Sequence, residues 1–245
     1  MIGKTNTAIG GNSKKVIDLS RQDIYGNPTA QNTANCYVVK EAGVYKFPLV
    51  FGNAIKNGTT NSAAYTNIGG TYCHEFQNGN RNTIFNPSIE IVSGTIQSVQ
   101  LSMADTDDVI YDLEIINGSD FRYVQFKINY VPKTGANMII SVKDEYDVII
   151  WSWHIWAWSD DLTAIEITNA TSNKYKILPV NLASKWDSAK KEYIKNWFYQ
   201  FGRPMPLLCA SSYNSTTNHI NYGVLNYSVE AIANDIAFSI KFPAT

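Results

Sequence analysis

From residue 34 onward, apolar and polar positions alternate with a period of two in short runs separated by Gly, Asn and Asp. That is the spacing of half-buried β-strands joined by tight turns. The runs cover 34–40, 44–51, 89–92, 96–103, 109–116, 121–131, 138–142 and 148–158, with two more at 224–229 and 236–242. Glu41-Ala42-Gly43 separates the first two, which predicts a hairpin, and Pro48 pushes its second strand toward an edge or a bulge because proline donates no ladder hydrogen bond. One segment changes period. Ile194, Trp197, Phe198 and Phe201 recur at i, i+3, i+4 and i+7, Asp187-Ser188 precede them, and Gly202, Pro204 and Pro206 follow. This predicts one helix near 187–201. The fold class expected is mainly β, an antiparallel sandwich or barrel-like meander with that single helix.

The densest run is Val148 to Asp161, where Trp151, Trp153, Trp156 and Trp158 fall within eight residues. In a strand, Trp151, Trp153, Ile155 and Ala157 point one way and Ser152, His154, Trp156 and Trp158 the other. A strand apolar on both faces is either covered on both or covered on one and binding on the other. Core packing of all four tryptophans is the favoured reading. The alternative is a glycan-contacting patch, with Trp156 or Trp158 stacking on a sugar ring and Asp160 and Asp161 accepting hydroxyl hydrogen bonds.

Residues 1–33 hold Gly- and Asn-rich stretches around one short apolar piece, Val16 to Leu19. They are expected to form an extended N-terminal arm, leaving 34–245 as a single β-rich domain. The loop-rich stretch 52–88 carries Asn57-Gly58, Gly69-Gly70, Asn78-Gly79 and Asn86-Pro87 as turn signals.

Composition sharpens this picture. Aromatic residues make up 13% and charged residues only 17%, and the formal net charge is −1. Such a balance fits a β-rich protein with polar turns and offers no basic surface for a nucleic acid. No segment is long and apolar enough to insert in a membrane, and the start at Met1 has no apolar leader, so the chain is expected to be made without secretion. Cys36, Cys73 and Cys209 lack metal or redox spacing and read as buried thiols.

Candidate chemistry is thin. His154 beside Asp160 and Asp161 suggests a catalytic pair, yet on a strand they stand far apart, and a histidine among tryptophans is more often a hydrogen-bonded core group. His74 and His219 form no ligand set by spacing. The acidic pairs Asp107-Asp108, Asp160-Asp161 and Asp144-Glu145 read better as turn anchors than as a glycosidase dyad. There is no nucleophile elbow, phosphate loop or dinucleotide fingerprint. No catalytic residue, metal site or cofactor is therefore expected, and the chain reads as non-enzymatic.

Several motifs in order carry a resemblance. Ala34-Asn35-Cys36-Tyr37-Val38-Val39, then Gly43-Val44-Tyr45-Lys46-Phe47-Pro48, Trp151-Ser152-Trp153-His154-Ile155-Trp156, Ile177 to Leu182, and Trp197 to Pro204 together resemble fimbrillin-like surface proteins of Bacteroides. The chain departs from that pattern at Asn181-Leu182, which lacks an expected arginine, and at Pro204, which replaces a Lys-Asp pair. With an unsecreted chain, the resemblance implies a virion structural protein of a Bacteroides phage of the crAss-like group, in a head or tail fibre or associated with the capsid. Its implied partners are other virion proteins docked through the arm, further copies of itself in a homo-oligomer, and host surface polysaccharide. The second expectation is a secreted adhesin or carbohydrate-binding module at the bacterial cell surface.

Overall fold

The computed structural model describes residues 15–66, 76–187, 191–195, 197–198, 207–208, 210–214 and 219–222, with side chains described up to residue 186 and at Lys191. In chain order the strands are β1 (Val16–Asp18), β2 (Cys36–Val39), β3 (Gly43–Pro48), β4 (Ile55–Lys56), β5 (Thr59–Thr60), β6 (Ser98–Ala104), β7 (Ile110–Asn117), β8 (Arg122–Ile128), β9 (Ala136–Lys143) and β10 (Ile149–Ala157). They continue as β11 (Ile165–Thr168), β12 (Lys174–Ile177), β13 (Ser184–Asp187), β14 (Glu192–Lys195), β15 (Trp197–Phe198), β16 (Leu207–Leu208), β17 (Ala210–Asn214) and β18 (His219–Tyr222). The protein is mainly β, as its periodicity predicts. It is a sandwich and not a closed barrel.

Two four-stranded sheets form the body, in the orders β1-β3-β8-β7 and β2-β10-β9-β6. Each consists of three antiparallel strands with one parallel strand added at an edge, β1 on β3 and β2 on β10. Between the sheets lies one core. Tyr45 and Phe47 of β3, Val124 and Phe126 of β8, Met138 and Ile140 of β9, and Trp151, Trp153 and Ile155 of β10 all point into it. The Phe47 ring packs on Trp153 at 4.8 Å and on Tyr37 at 5.1 Å, so aromatic side chains bridge the layers. Alternation explains the partition, since the intervening Lys46, Gln125 and Lys127 are turned away from the core and remain half-buried at the surface.

A bulge sits at the start of β10, where the register with β9 shifts between Ile149 and Trp151. It lets two consecutive residues, Ile150 and Trp151, reach the same core. Gly79 approaches the strand there: its N–H donates to the Ile150 carbonyl at 2.9 Å, and a Cβ on it would collide with the Ile149 backbone oxygen.

Three expectations are corrected. The runs at 34–40 and 44–51 do not make a hairpin. β2 and β3 lie in opposite sheets, and the link 40–42 carries the chain across, with the Glu41 carbonyl accepting from the Tyr45 hydroxyl. Both runs need an inward face, and crossing gives each of them one. Pro48 ends β3 beyond the reach of β1, which pairs only with Val44 to Lys46, so its missing N–H costs no ladder bond on that side.

The run at 89–92 is a five-residue helix, α1 (Ile89–Ser93), stopped by Gly94 at φ +80°. Asn86-Pro87 precedes it, and only Ile89 of its side chains is buried, so one apolar contact and two turn signals outweigh a strand-like tetrapeptide.

The third correction is the helix near 187–201. Ser184–Asp187 pairs antiparallel with Glu192–Lys195, and Trp197–Phe198 with Leu207–Leu208. Tyr, Ile, Trp and Phe crowd that window and favour strands, and Lys191 adopts φ +57° in the intervening turn, a conformation that a helix does not contain.

The expected arm behaves differently along its length. Residues 1–14 lie outside the described residues. Residues 15–33 run along the body: β1 extends a sheet, Leu19 and Ser20 are buried, and Gln31 and Thr33 are buried beside β4. Asn57 and Gly58 both take positive φ in the β4–β5 turn, as the Asn-Gly signal predicts. The runs at 224–229 and 236–242 lie outside the described residues.

Candidate functional site

The second face of β10 carries the chemistry. There the strand turns His154 and Trp156 away from the sandwich core, yet both are buried, at 2% and 0% exposure. The segment after β10 folds back over this face: Leu162 and Val180 pack with Trp156 and Trp158, and the Trp156 indole N–H donates to the Ser184 carbonyl at 3.1 Å. Both faces of the tryptophan strand are therefore covered by this chain.

A polar row crosses three strands beneath that cover. The register pairs Cys36 with His154, and their side chains meet with Sγ 3.5 Å from Nδ1. His154 Nε2 lies 2.9 Å from Asn137 Oδ1 on β9. Asn137 donates Nδ2–H to Asp105 Oδ2 at 2.8 Å and to the Ala183 carbonyl at 3.3 Å, and its backbone N–H donates to Asp105 Oδ1. Asp105 stands where the chain leaves β6 to cross to the other sheet. Lys185 closes the row, with Nζ 3.5 Å from the Asp105 carboxylate and donating to the Asp105 carbonyl and Thr106 Oγ1.

This geometry assigns protons. The Asn137 amide nitrogen is committed to Asp105 and Ala183, so its oxygen faces the ring and Nε2 carries the hydrogen. Nδ1 is left as the acceptor for the Cys36 thiol. Burial then dominates the electrostatics: it lowers the His154 imidazole to about 3, against a weaker opposing pull from the Asp105 carboxylate, and pushes the Cys36 thiol up to about 12.

Thiol, imidazole and carboxamide in this order form the constellation of a cysteine hydrolase. That chemistry runs on a thiolate, with the proton held on the imidazole. Here both groups are held neutral, and the row ties segment 183–185 to the sheet.

The patch expected from Trp156, Trp158, Asp160 and Asp161 is not assembled as a binding surface. Trp156 and Trp158 pack against each other at 5.0 Å inside the protein and present no ring to a sugar. Asp160 and Asp161 are exposed beyond the strand end. Asp161 anchors a turn by accepting from the Thr163 hydroxyl and N–H, which holds its carboxyl below the usual range. Asp144 plays the same part before β10, accepting from the N–H groups of Tyr146 and Val148. His74 lies outside the described residues.

Sequence reasoning missed Asn137 and Asp105 as partners of His154. Asn137 reads as a turn residue after Thr134-Gly135-Ala136, and nothing in the pattern pairs Cys36 with a strand 118 residues away. Among the described residues, no group of three or more His, Cys, Asp or Glu side chains is placed to hold a metal ion. No helix among them is long and apolar enough to cross a membrane. An open surface groove of about 840 Å³ lies between residues 15–28 and 38–45.

The described residues form a mixed-sheet β-sandwich in which a polar row runs from half-buried Cys36 through buried His154 and Asn137 to Asp105 and Lys185. Comparison of the chain with protein-family models, with curated protein sequences and with solved structures gives no match.

Proposed function

We propose that this protein is a non-enzymatic structural subunit of a bacteriophage particle, a fibre or capsid-associated protein that works by packing against other virion proteins and copies of itself. The observation that carries the reading is the β11–β12 hairpin, which turns isoleucine and tyrosine side chains outward and makes no sheet with the body among the described residues. Such a surface is suited to another protein. The buried, neutral state of His154 supports the non-enzymatic part. The virion setting comes from the motif resemblance around Trp151–Trp156 and rests on it. No glycan contact is assigned to Trp156 or Trp158.

Peptide mass spectrometry on purified particles, beside the host envelope fraction, tests the setting. Stoichiometric peptides in the particle are the expected result. Peptides confined to the envelope would replace this reading with that of a cell-surface adhesin.

A further inference from the structure

The β11–β12 hairpin divides cleanly into two faces. Its register pairs Ile165 with Ile177 and Ile167 with Tyr175 on one side, and Glu166 with Lys176 and Thr168 with Lys174 on the other. The apolar side is the anomaly. Ile165, Ile167, Tyr175 and Ile177 are 54%, 45%, 48% and 49% exposed, and Leu178 and Leu182 continue the apolar surface beyond the hairpin. A two-stranded hairpin is marginal by itself in water, and a sheet face this apolar needs a cover.

Both outer edges of the hairpin are unpaired among the described residues, and they differ in charge. β11 carries Glu166, and β12 carries Lys174 and Lys176. Pairing two β12 edges would set lysines beside lysines, and pairing two β11 edges would set glutamates together. Only β11 against β12 brings opposite charges together, on the same face and at the same strand spacing as the Glu166–Lys174 pair already made within the hairpin at 2.8 Å. An interface of ordinary stability takes roughly 800 Å² from each partner. Exposed Leu178 and Leu182 add apolar surface to the hairpin face toward that area.

We propose that the hairpin is the assembly element of this protein and that its occupant is a second copy of the same chain, β11 edge to β12 edge in head-to-tail order, with the apolar faces turned toward a common axis. Head-to-tail pairing repeats until it closes into a ring. This inference deepens the structural-subunit reading by naming its self-contact. It is tested in solution, apart from any particle, so either can fail alone.

The experiment is light scattering on the eluting full-length protein over a range of concentrations, with three variants. The wild type is expected as a discrete multiple of 27.4 kDa. Ile167→Glu with Ile177→Glu is expected as a monomer, and unchanged tryptophan emission from the interior cluster verifies that its body is folded. Glu166→Lys alone, and Lys174→Glu with Lys176→Glu alone, are expected to associate at least tenfold more weakly than wild type. Mixed together, the two are expected to associate more tightly than either alone, because each β11–β12 contact between unlike copies joins opposite charges. A monomeric wild type would overturn the proposal, including one whose hairpin amides resist hydrogen exchange because another part of this chain covers them. So would an oligomer indifferent to the double glutamate variant. Failure of the mixture to exceed its components would overturn the head-to-tail order.

Discussion

His154 Nε2 and Asn137 Oδ1 stand 2.9 Å apart inside the second layer of the sandwich, where burial keeps the imidazole neutral. Its consequence is a pH dependence with a definite sign. Burial holds the folded-state pKa at about 3, below the ordinary 6.5 that the unfolded chain regains. The unfolded state therefore takes up a proton first as pH falls. The contribution of His154 is fully present above pH 6.5 and is lost progressively between 6.5 and 3, with a slope of at most about 1.4 kcal/mol per pH unit. Urea unfolding of wild type and His154→Gln across this range isolates the effect, since carboxylate titrations are common to both. Parallel pH profiles would refute it.

Cys36 should behave as an inert thiol. With its pKa pushed up to about 12, its thiolate fraction at pH 8 is about a thousandfold below that of a free cysteine. Iodoacetamide labelling followed by peptide mapping is expected to leave Cys36 unmodified in the folded protein and to modify it readily in urea. Rapid labelling in the folded state would instead indicate a thiolate paired with His154, and would reopen the hydrolase chemistry.

The tryptophans are unequal in their polar accounting. Trp156 donates to the Ser184 carbonyl, whereas the buried Trp153 indole N–H has no acceptor among the described residues. Trp156→Phe strands a carbonyl under the covering segment, while Trp153→Phe removes a donor already desolvated. The first is expected to cost about 1–3 kcal/mol more than the second, measured by denaturant midpoints at constant m-value. Equal losses would show that packing volume alone decides.

Gly79→Ala should be among the most damaging small substitutions in the protein. The added Cβ meets the Ile149 backbone oxygen, and that oxygen belongs to the bulge that aims Ile150 and Trp151 into the core. A loss of about 2–4 kcal/mol in chemical unfolding is expected, with a change in near-ultraviolet circular dichroism from Trp151. Gly58→Ala, where a Cβ meets nothing within 4 Å but φ is +75°, should cost only about 1 kcal/mol.

Strand positions were legible because side chains in strands report their surroundings at a period of two. The two faces of β10 follow from reading Trp151, Trp153, Ile155 and Ala157 against His154, Trp156 and Trp158. Partners were not legible. Nothing in Cys36–Val39 says that it lies parallel to β10, and without that pairing Cys36, His154, Asn137 and Asp105 are four unrelated residues. At 192–195 and 197–198 the helical spacing competes with the strand preference of the aromatic residues, and pairing with 184–187 and 207–208 decides the outcome. Asp160 and Asp161 lie where the sequence suggests, past the strand end. Trp156 and Trp158 lost their candidate role because the segment after them folds back, which a period of two cannot foresee.

The parallel seat of β2 on β10 also dictates an order of events. β7–β8 and β9–β10 are pairings between neighbours in sequence and can form as soon as each is synthesised, but β2 must wait until residue 157 has left the ribosome. Until then the growing chain holds Tyr37 and Phe47 ready for a core whose opposite wall does not yet exist. Closure over so long a loop slows folding far more than it lowers the stability of the finished protein. For this chain the vulnerable period is its synthesis, and substitutions in β2 should reduce the yield of folded protein more than they lower its melting temperature.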